Sequence, residues 1–152
     1  MPAIRIAFLS FAHMHAYGYA RQLLARPKGE VELAGVWDRE AARGKKMARA
    51  LGTQFFASRE KLLATRPQGA VVCSENALHL EDARAAAQAG VGVLCEKPLT
   101  PAAREARAMV DMFAQARLPL MTAFPCRFAG AALRLKEQLD SGAIGEVLAA
   151  YT

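Results

Sequence analysis

The chain has 152 residues, enough for one domain with a substantial core. Hydrophobic residues make up 53% and charged residues 22%, a globular composition, and no apolar run approaches the ~20 residues of a membrane span. The net charge of +6 comes from arginines scattered over several helical segments (Arg21, Arg39, Arg43, Arg84, Arg104, Arg107). No basic run is interleaved with aromatics, so the charge reads as solvated helix faces and not as a nucleic-acid footprint. The N-terminus, Met1-Pro2-Ala3-Ile4-Arg5, lacks a basic region followed by a long apolar stretch; the expected location is cytoplasmic. Three cysteines, Cys73, Cys95 and Cys126, do not make a disulfide framework. A metal site built on them needs a fourth ligand, so they read as buried, inert thiols.

Ile4 to Leu9 is short, apolar and β-branched, which predicts a buried strand. A helix with Ala16, Ala20, Leu23 and Leu24 on one face follows, stopped by Pro27 and Gly29. Val31 to Trp37 is a second strand ending at Asp38. Arg39 to Leu51 is helical with Gly52 as its stop, and a short strand at Gln54–Phe56 precedes a helix capped by Ser58. Gly69 to Cys73 is the next strand, and Asn76 can cap the helix that runs to about Ala89. Val91 to Cys95 is a strand leading into Glu96-Lys97-Pro98. Thr100-Pro101 predicts a helix start, with Ala106, Met109, Val110 and Phe113 on its apolar face. Leu118 to Phe124 is a strand, and Phe128 to Leu139 a helix closed by Ser141-Gly142.

Short strands alternating with helices define βαβ units, hence an α/β fold with a doubly wound, mostly parallel sheet of the Rossmann type. Residues 1–124 form the expected dinucleotide-binding domain. Residues 125–152 read as a connecting helix and then, from Glu146 to Thr152, the first strand of a second domain of which this chain carries little.

Ligands bind beyond the carboxyl ends of the strands in such a sheet. The first strand-to-helix turn is Ser10-Phe11-Ala12-His13-Met14-His15, and Ser10, Ala12 and His15 stand at the three glycine positions of the dinucleotide fingerprint. His15 in the third position is expected to pack and widen the helix–strand contact; His13 is a candidate for a phosphate or the substrate. Two apart, the histidines share no helix face and have no third ligand nearby in sequence, so no metal is expected. Asp38 lies 23 residues after His15, close to the spacing of an acid on the ribose 2′-hydroxyl, which favours NAD over NADP. Two alternatives stand beside that reading: Asp38 caps the following helix, and Arg39 pairs with a 2′-phosphate or stacks on adenine. His79 reads as structural. Lys97, between a carboxylate and a proline, is a candidate proton donor or anchor, and its bond to Pro98 a candidate for the cis form.

Together these segments resemble the Gfo/Idh/MocA family of NAD(P)-dependent oxidoreductases, of which glucose–fructose oxidoreductase and inositol dehydrogenase are typical. Val93 to Leu99 is similar to the family's E-K-P segment, and Ser74-Glu75-Asn76-Ala77-Leu78-His79 to its T-P-N-x-x-H turn. Arg127-Phe128 and Ser141 to Val147 are similar to the stretch leading into the second domain. The resemblance implies a cofactor, NAD or NADP, across the carboxyl edge of the sheet. Its contacts would be Ser10, Phe11, Ala12, His13, Met14, Asp38, Arg39, Ser74, Glu75, Asn76, His79, Glu96, Lys97 and Arg127, with Lys97 catalytic. It also implies a small-molecule substrate (a sugar, inositol or related polyol) and a homo-oligomer formed through the second domain. The chain departs from the pattern at every fingerprint glycine and at Glu75, which replaces the proline of T-P-N. A binding module without dinucleotide affinity, or an inactive fragment with an exposed docking face, are the other readings.

Overall fold

The computed structural model describes residues 2–150. Six strands, β1 (Ile4–Leu9), β2 (Val31–Trp37), β3 (Phe55–Phe56), β4 (Gly69–Val72), β5 (Gly92–Glu96) and β6 (Leu120–Ala123), form one sheet in the order β3-β2-β1-β4-β5-β6. Every pairing is parallel. The order reverses between β1 and β4, and that switch point opens a crevice at the carboxyl ends of the strands.

Helices α1 (His15–Leu24) and α2 (Ala41–Leu51) cover one face of the sheet, where Ala16, Ala20 and Ala48 pack on Phe8, Val36 and Val71. Helices α3 (Arg59–Leu63), α4 (His79–Gln88) and α5 (Ala103–Ala116) cover the other, burying Leu62, Ala83, Ala86, Met109 and Phe113 against Leu9, Val72 and Cys95. A fully buried Leu or Phe contributes roughly 1.5–3 kcal/mol, so these two layers hold the strand ends, and the loops on them, in place. On the α1 face, β4 and β5 are only partly covered among the described residues. A groove of about 450 Å³ runs there, with Ile6, Leu23, Val71, Leu94 and Pro119 among its walls.

Several boundaries differ from the sequence reading for local reasons. Asn76 opens a single 3-10 turn, Asn76–Leu78, without capping it through its side chain, and α4 begins only at His79. Thr100 does not cap α5; its hydroxyl donates to the Ala102 carbonyl at 2.8 Å, and the helix starts at Ala103. Ser58 does cap α3, accepting the Lys61 N–H. Gly52, at φ 65°, ends α2 in the left-handed conformation that glycine adopts without strain.

The C-terminal stretch differs more. After the 3-10 turn Pro125–Phe128, helix α6 (Gly130–Asp140) has no buried residue, and Leu133, Leu135, Ile144, Val147 and Leu148 are exposed. Residues 146–150 form no strand. A strand needs a ladder partner, and none is offered there among the described residues. The rest of that expected strand, Tyr151 and Thr152, lies outside the described residues. Among those residues no helix is long and apolar enough to cross a membrane.

Candidate functional site

Three loops converge on the switch point: 10–15 after β1, 73–79 after β4, and 96–98 after β5. The first two are joined by a bond from the His13 N–H to the Cys73 carbonyl at 2.9 Å. The third is joined to the second by His79, which is fully buried. Its Nδ1 lies 2.9 Å from the Pro98 carbonyl and its Nε2 3.0 Å from the Ser74 carbonyl. Its imidazole spaces the Ser74 loop from the Lys97-Pro98 turn. That peptide bond is cis.

Ser10 shows how the altered fingerprint is accommodated. Its φ of 72° is the left-handed conformation that a glycine would supply, and here a serine adopts it. The hydroxyl offsets the strain locally, donating to Asp38 Oδ2 at 3.2 Å and accepting the Ala12 N–H at 3.1 Å. Asp38 is the hub of this end of the site. Its side chain is fully buried. It accepts the Phe11 N–H at 2.8 Å, the Glu40 N–H at 2.9 Å, and Arg43 through Nε at 2.9 Å and Nη2 at 2.7 Å. The bond to Glu40 N–H, two residues on, is the Asx turn that leads into α2. Helix α2 has Glu40 as its N-cap and no side-chain cap bond, so Asp38 orders the turn before the helix without capping it. Arg43 also reaches Glu40 at 2.9 Å and Glu75 at 3.4 Å; its bond to Asp38 above all, with smaller help from the Glu75 and Glu40 charges, outweighs burial and holds its guanidinium above normal basicity. Arg39 pairs with Glu81 at 3.0 Å and lies 6.0 Å from the Trp37 ring.

A second cluster occupies the other end. Glu96 is fully buried at the end of β5. Its Oε1 accepts from the Tyr19 hydroxyl at 2.6 Å and lies 2.8 Å from His15 Nδ1 and 3.5 Å from His13 Nδ1, while its Oε2 accepts the Lys97 N–H at 2.9 Å. Burial pushes this carboxyl upward, but the bonds from Tyr19, His15 and the Lys97 amide outweigh it and leave its pKa below the usual value. Desolvation lowers that of His13, against the pull of Glu96. The Tyr19 hydroxyl is raised by burial and by its bond to Glu96. Lys97 itself is exposed at the mouth of the crevice.

Seven of the fourteen expected residues fall into two groups, with Lys97 joined to the second through its N–H bond to Glu96. Ser10, Ala12, Asp38 and Glu75 gather around Arg43; His13 and Glu96 gather around His15 and Tyr19. Four expected residues have other surroundings. Phe11 is buried and stacks on Phe8 with ring centroids 5.2 Å apart, so only its backbone serves the loop. Met14 is 85% exposed. Asn76 and Arg127 are exposed, with no side-chain hydrogen bond among the described residues. The expectation that His15 would widen the α1–β1 contact is corrected: its ring reaches Glu96 at the end of β5 and packs edge-on against His13 and Tyr19, and Ala16 takes the buried position. His13 precedes the helix, which lets the two imidazoles meet with centroids 4.6 Å apart despite their spacing. Of the thiols, Cys73 and Cys95 are buried as expected, and Cys126 is exposed.

Arg43 and Tyr19 had not been expected at the site. Both carry a signal in the sequence: Arg43 lies in the first turn of α2, within side-chain reach of Asp38, and Tyr19 is at i+4 from His15 on one face of α1.

Strand order, switch point and loop placement define a dinucleotide-binding α/β domain. Residues 4–124 match the family model GFO_IDH_MocA, described as "Oxidoreductase family, NAD-binding Rossmann fold". The chain belongs to that family. It is 39% identical over 127 residues to D-xylose 1-dehydrogenase (NADP(+)) 2 of Haloferax volcanii, covering 81% of this chain and 39% of that protein. It is 32% identical over 122 residues to D-glucoside 3-dehydrogenase of Escherichia coli, covering 79% and 35%. Among solved structures, UDP-N-acetylglucosamine 3-dehydrogenase GnnA from Acidithiobacillus ferrooxidans superposes with a TM-score of 0.81 at 29% identity, covering 90% of this chain and 44% of that one. The chain thus spans well under half the length of these relatives.

Proposed function

We propose that this chain is the cofactor-binding part of an NAD(P)-dependent oxidoreductase that moves hydride between the nicotinamide and a carbinol carbon of a sugar, inositol or related polyol. The observation that carries the reading is the convergence of loops 10–15, 73–79 and 96–98 on the β1/β4 switch point, with Lys97 exposed at its mouth. The residues fit the cofactor. Helix α1 presents its N-terminus to the crevice without an acidic residue in its first turn, which suits a pyrophosphate, and Asp38 stands at the ribose end.

The bound cofactor supplies hydride acceptance or donation. Lys97 would hold the substrate hydroxyl and stabilise the oxygen as negative charge develops on it. NAD is taken as the preferred form, because an acid, Asp38, ends β2 at the spacing of a ribose-binding carboxylate. Arg43 reduces the margin, since its guanidinium neutralises that carboxylate and can meet a 2′-phosphate. Residues 1–124 act as the cofactor domain, and the exposed apolar residues of 124–148 lead to a second domain that completes the substrate site and the homo-oligomer interface. The proposed location is cytoplasmic.

Titration of the purified protein with NADH and NADPH, followed by nicotinamide fluorescence, tests the reading. Saturable binding of at least one, tighter for NADH, is expected. No binding of either at about 1 mM, an affinity of only ~4 kcal/mol, would leave a non-catalytic binding module as the better account.

A further inference from the structure

His15, at the third fingerprint position, and His13, two residues before it, meet a buried carboxylate in the crevice. His13, His15 and Glu96 each offer one ligand atom, and these three atoms all lie within 4.8 Å of one another. The carboxylate oxygen is 2.8 Å from one nitrogen and 3.5 Å from the other. A tetrahedral zinc ion with ligands at ~2.0–2.2 Å holds its donors roughly 3.3–3.6 Å apart, so the 3.5 Å separation already matches a shared ion and the 2.8 Å one would open on binding.

The surroundings are those of a ligand set. Glu96 is a fully buried carboxylate whose only ion-pair partners among the described residues are these two histidines. A buried charge calls for a countercharge. The Tyr19 hydroxyl and the Lys97 amide hold the carboxylate from behind, one on each oxygen, in the manner of groups that orient a metal ligand. The imidazole side chains are 22% and 38% exposed, so the cluster is closed below by Glu96 and open towards the crevice. Two imidazoles, one carboxylate and an open fourth position is a donor set for Zn²⁺ or another borderline divalent ion, and a poor one for Mg²⁺ or Ca²⁺. The N-terminus of α1 and the Lys97 ammonium oppose a cation here, which makes the site exchangeable and weaker than a structural zinc site.

We propose that His13, His15 and Glu96 form a divalent-cation site of the zinc class, open to the crevice beside Lys97. The fourth position is a water or a substrate hydroxyl, so the ion would polarise the same oxygen that Lys97 faces. The inference stands on these side chains alone and does not depend on dinucleotide binding.

The test is a titration of chelator-treated protein with Zn²⁺ against a chromogenic competitor, repeated with Co²⁺ and read in the visible and near-ultraviolet. One ion per chain is expected. The Co²⁺ spectrum should show tetrahedral d–d bands without thiolate charge transfer, which sets the site apart from exposed Cys126. His13→Ala and His15→Ala should each weaken binding by about tenfold or more with the far-UV circular dichroism unchanged. Glu96→Gln should do the same, but as a buried group it can perturb folding, so the histidine variants decide. Absence of one-to-one binding, a thiolate spectrum, or unchanged affinity in both histidine variants would overturn the proposal. NADH titration of the same metal-free protein reports the dinucleotide reading separately.

Discussion

Replacing Asp38 by Ala is expected to loosen the fold as well as the cofactor pocket, and the cost can be worked from its bonds. The change leaves the Phe11 N–H, which is buried, without its acceptor at 2.8 Å. An orphaned buried donor costs ~1–3 kcal/mol. It removes the Asx-turn bond from Glu40 N–H, worth about 1 kcal/mol as an ordinary hydrogen bond. It also strips Arg43 of its main partner, which costs little because that side chain is 24% exposed and keeps Glu40 at 2.9 Å. The sum is about 3 kcal/mol, which for a chain of this size lowers Tm by roughly 6–12 °C. Asp38→Asn, which keeps one carbonyl acceptor, should lose about half as much. Calorimetry or urea unfolding of the three proteins measures this. A Tm for Asp38→Ala within about 1 °C of the parent would refute the view of Asp38 as the clamp of the 10–15 loop.

Arg43→Ala should widen the NADH-over-NADPH preference, because it exposes the Asp38 carboxylate to the 2′-phosphate; paired titrations with the two cofactors check this, and an unchanged ratio would remove Arg43 from the ribose site. Stability should fall as pH drops below 6.5, since desolvation lowers the His13 pKa and the unfolded chain therefore takes up protons that folded His13 resists. Glu96 adds a second loss below its ordinary 4.5: its folded value is depressed, so its contribution is present above that pH and disappears as pH falls through the folded value. Urea unfolding at several pH values should show Glu96→Gln less stable than the parent at neutral pH, with the gap closing in acid; a gap independent of pH would contradict the linkage. Of the three thiols, only Cys126 should react with an aromatic disulfide in the native state, because Cys73 and Cys95 are buried, with burial pushing the pKa of Cys95 up to about 12. All three should react after denaturation.

The sheet was legible because buried parallel strands leave an unmistakable trace: short β-branched runs at Ile4, Val31, Gly69 and Val91, each separated by a helix with its own stop. Residues whose partners are close in sequence were also read correctly, as with Ser58 capping α3 and Gly52 ending α2. What could not be read was pairing across the fold. His13 and His15 have no acidic partner nearby in the chain, yet the β5 register delivers Glu96, 81 residues from His15, to them. Arg43 was visible only as one scattered arginine, because its role depends on how α2 leaves the Asp38 turn. The Thr100 cap failed for a different reason: its hydroxyl found a nearer carbonyl, at Ala102, and the helix began later.

The central claim, that the crevice at the β1/β4 switch point holds a nicotinamide dinucleotide, is tested most directly by amide hydrogen exchange with and without saturating NADH. The account predicts slower exchange in residues 10–15, 38–40, 74–79 and 96–99, with α6 and the 141–150 segment unchanged. No protection in the 10–15 loop, or protection confined to the exposed groove beside α1, would contradict it.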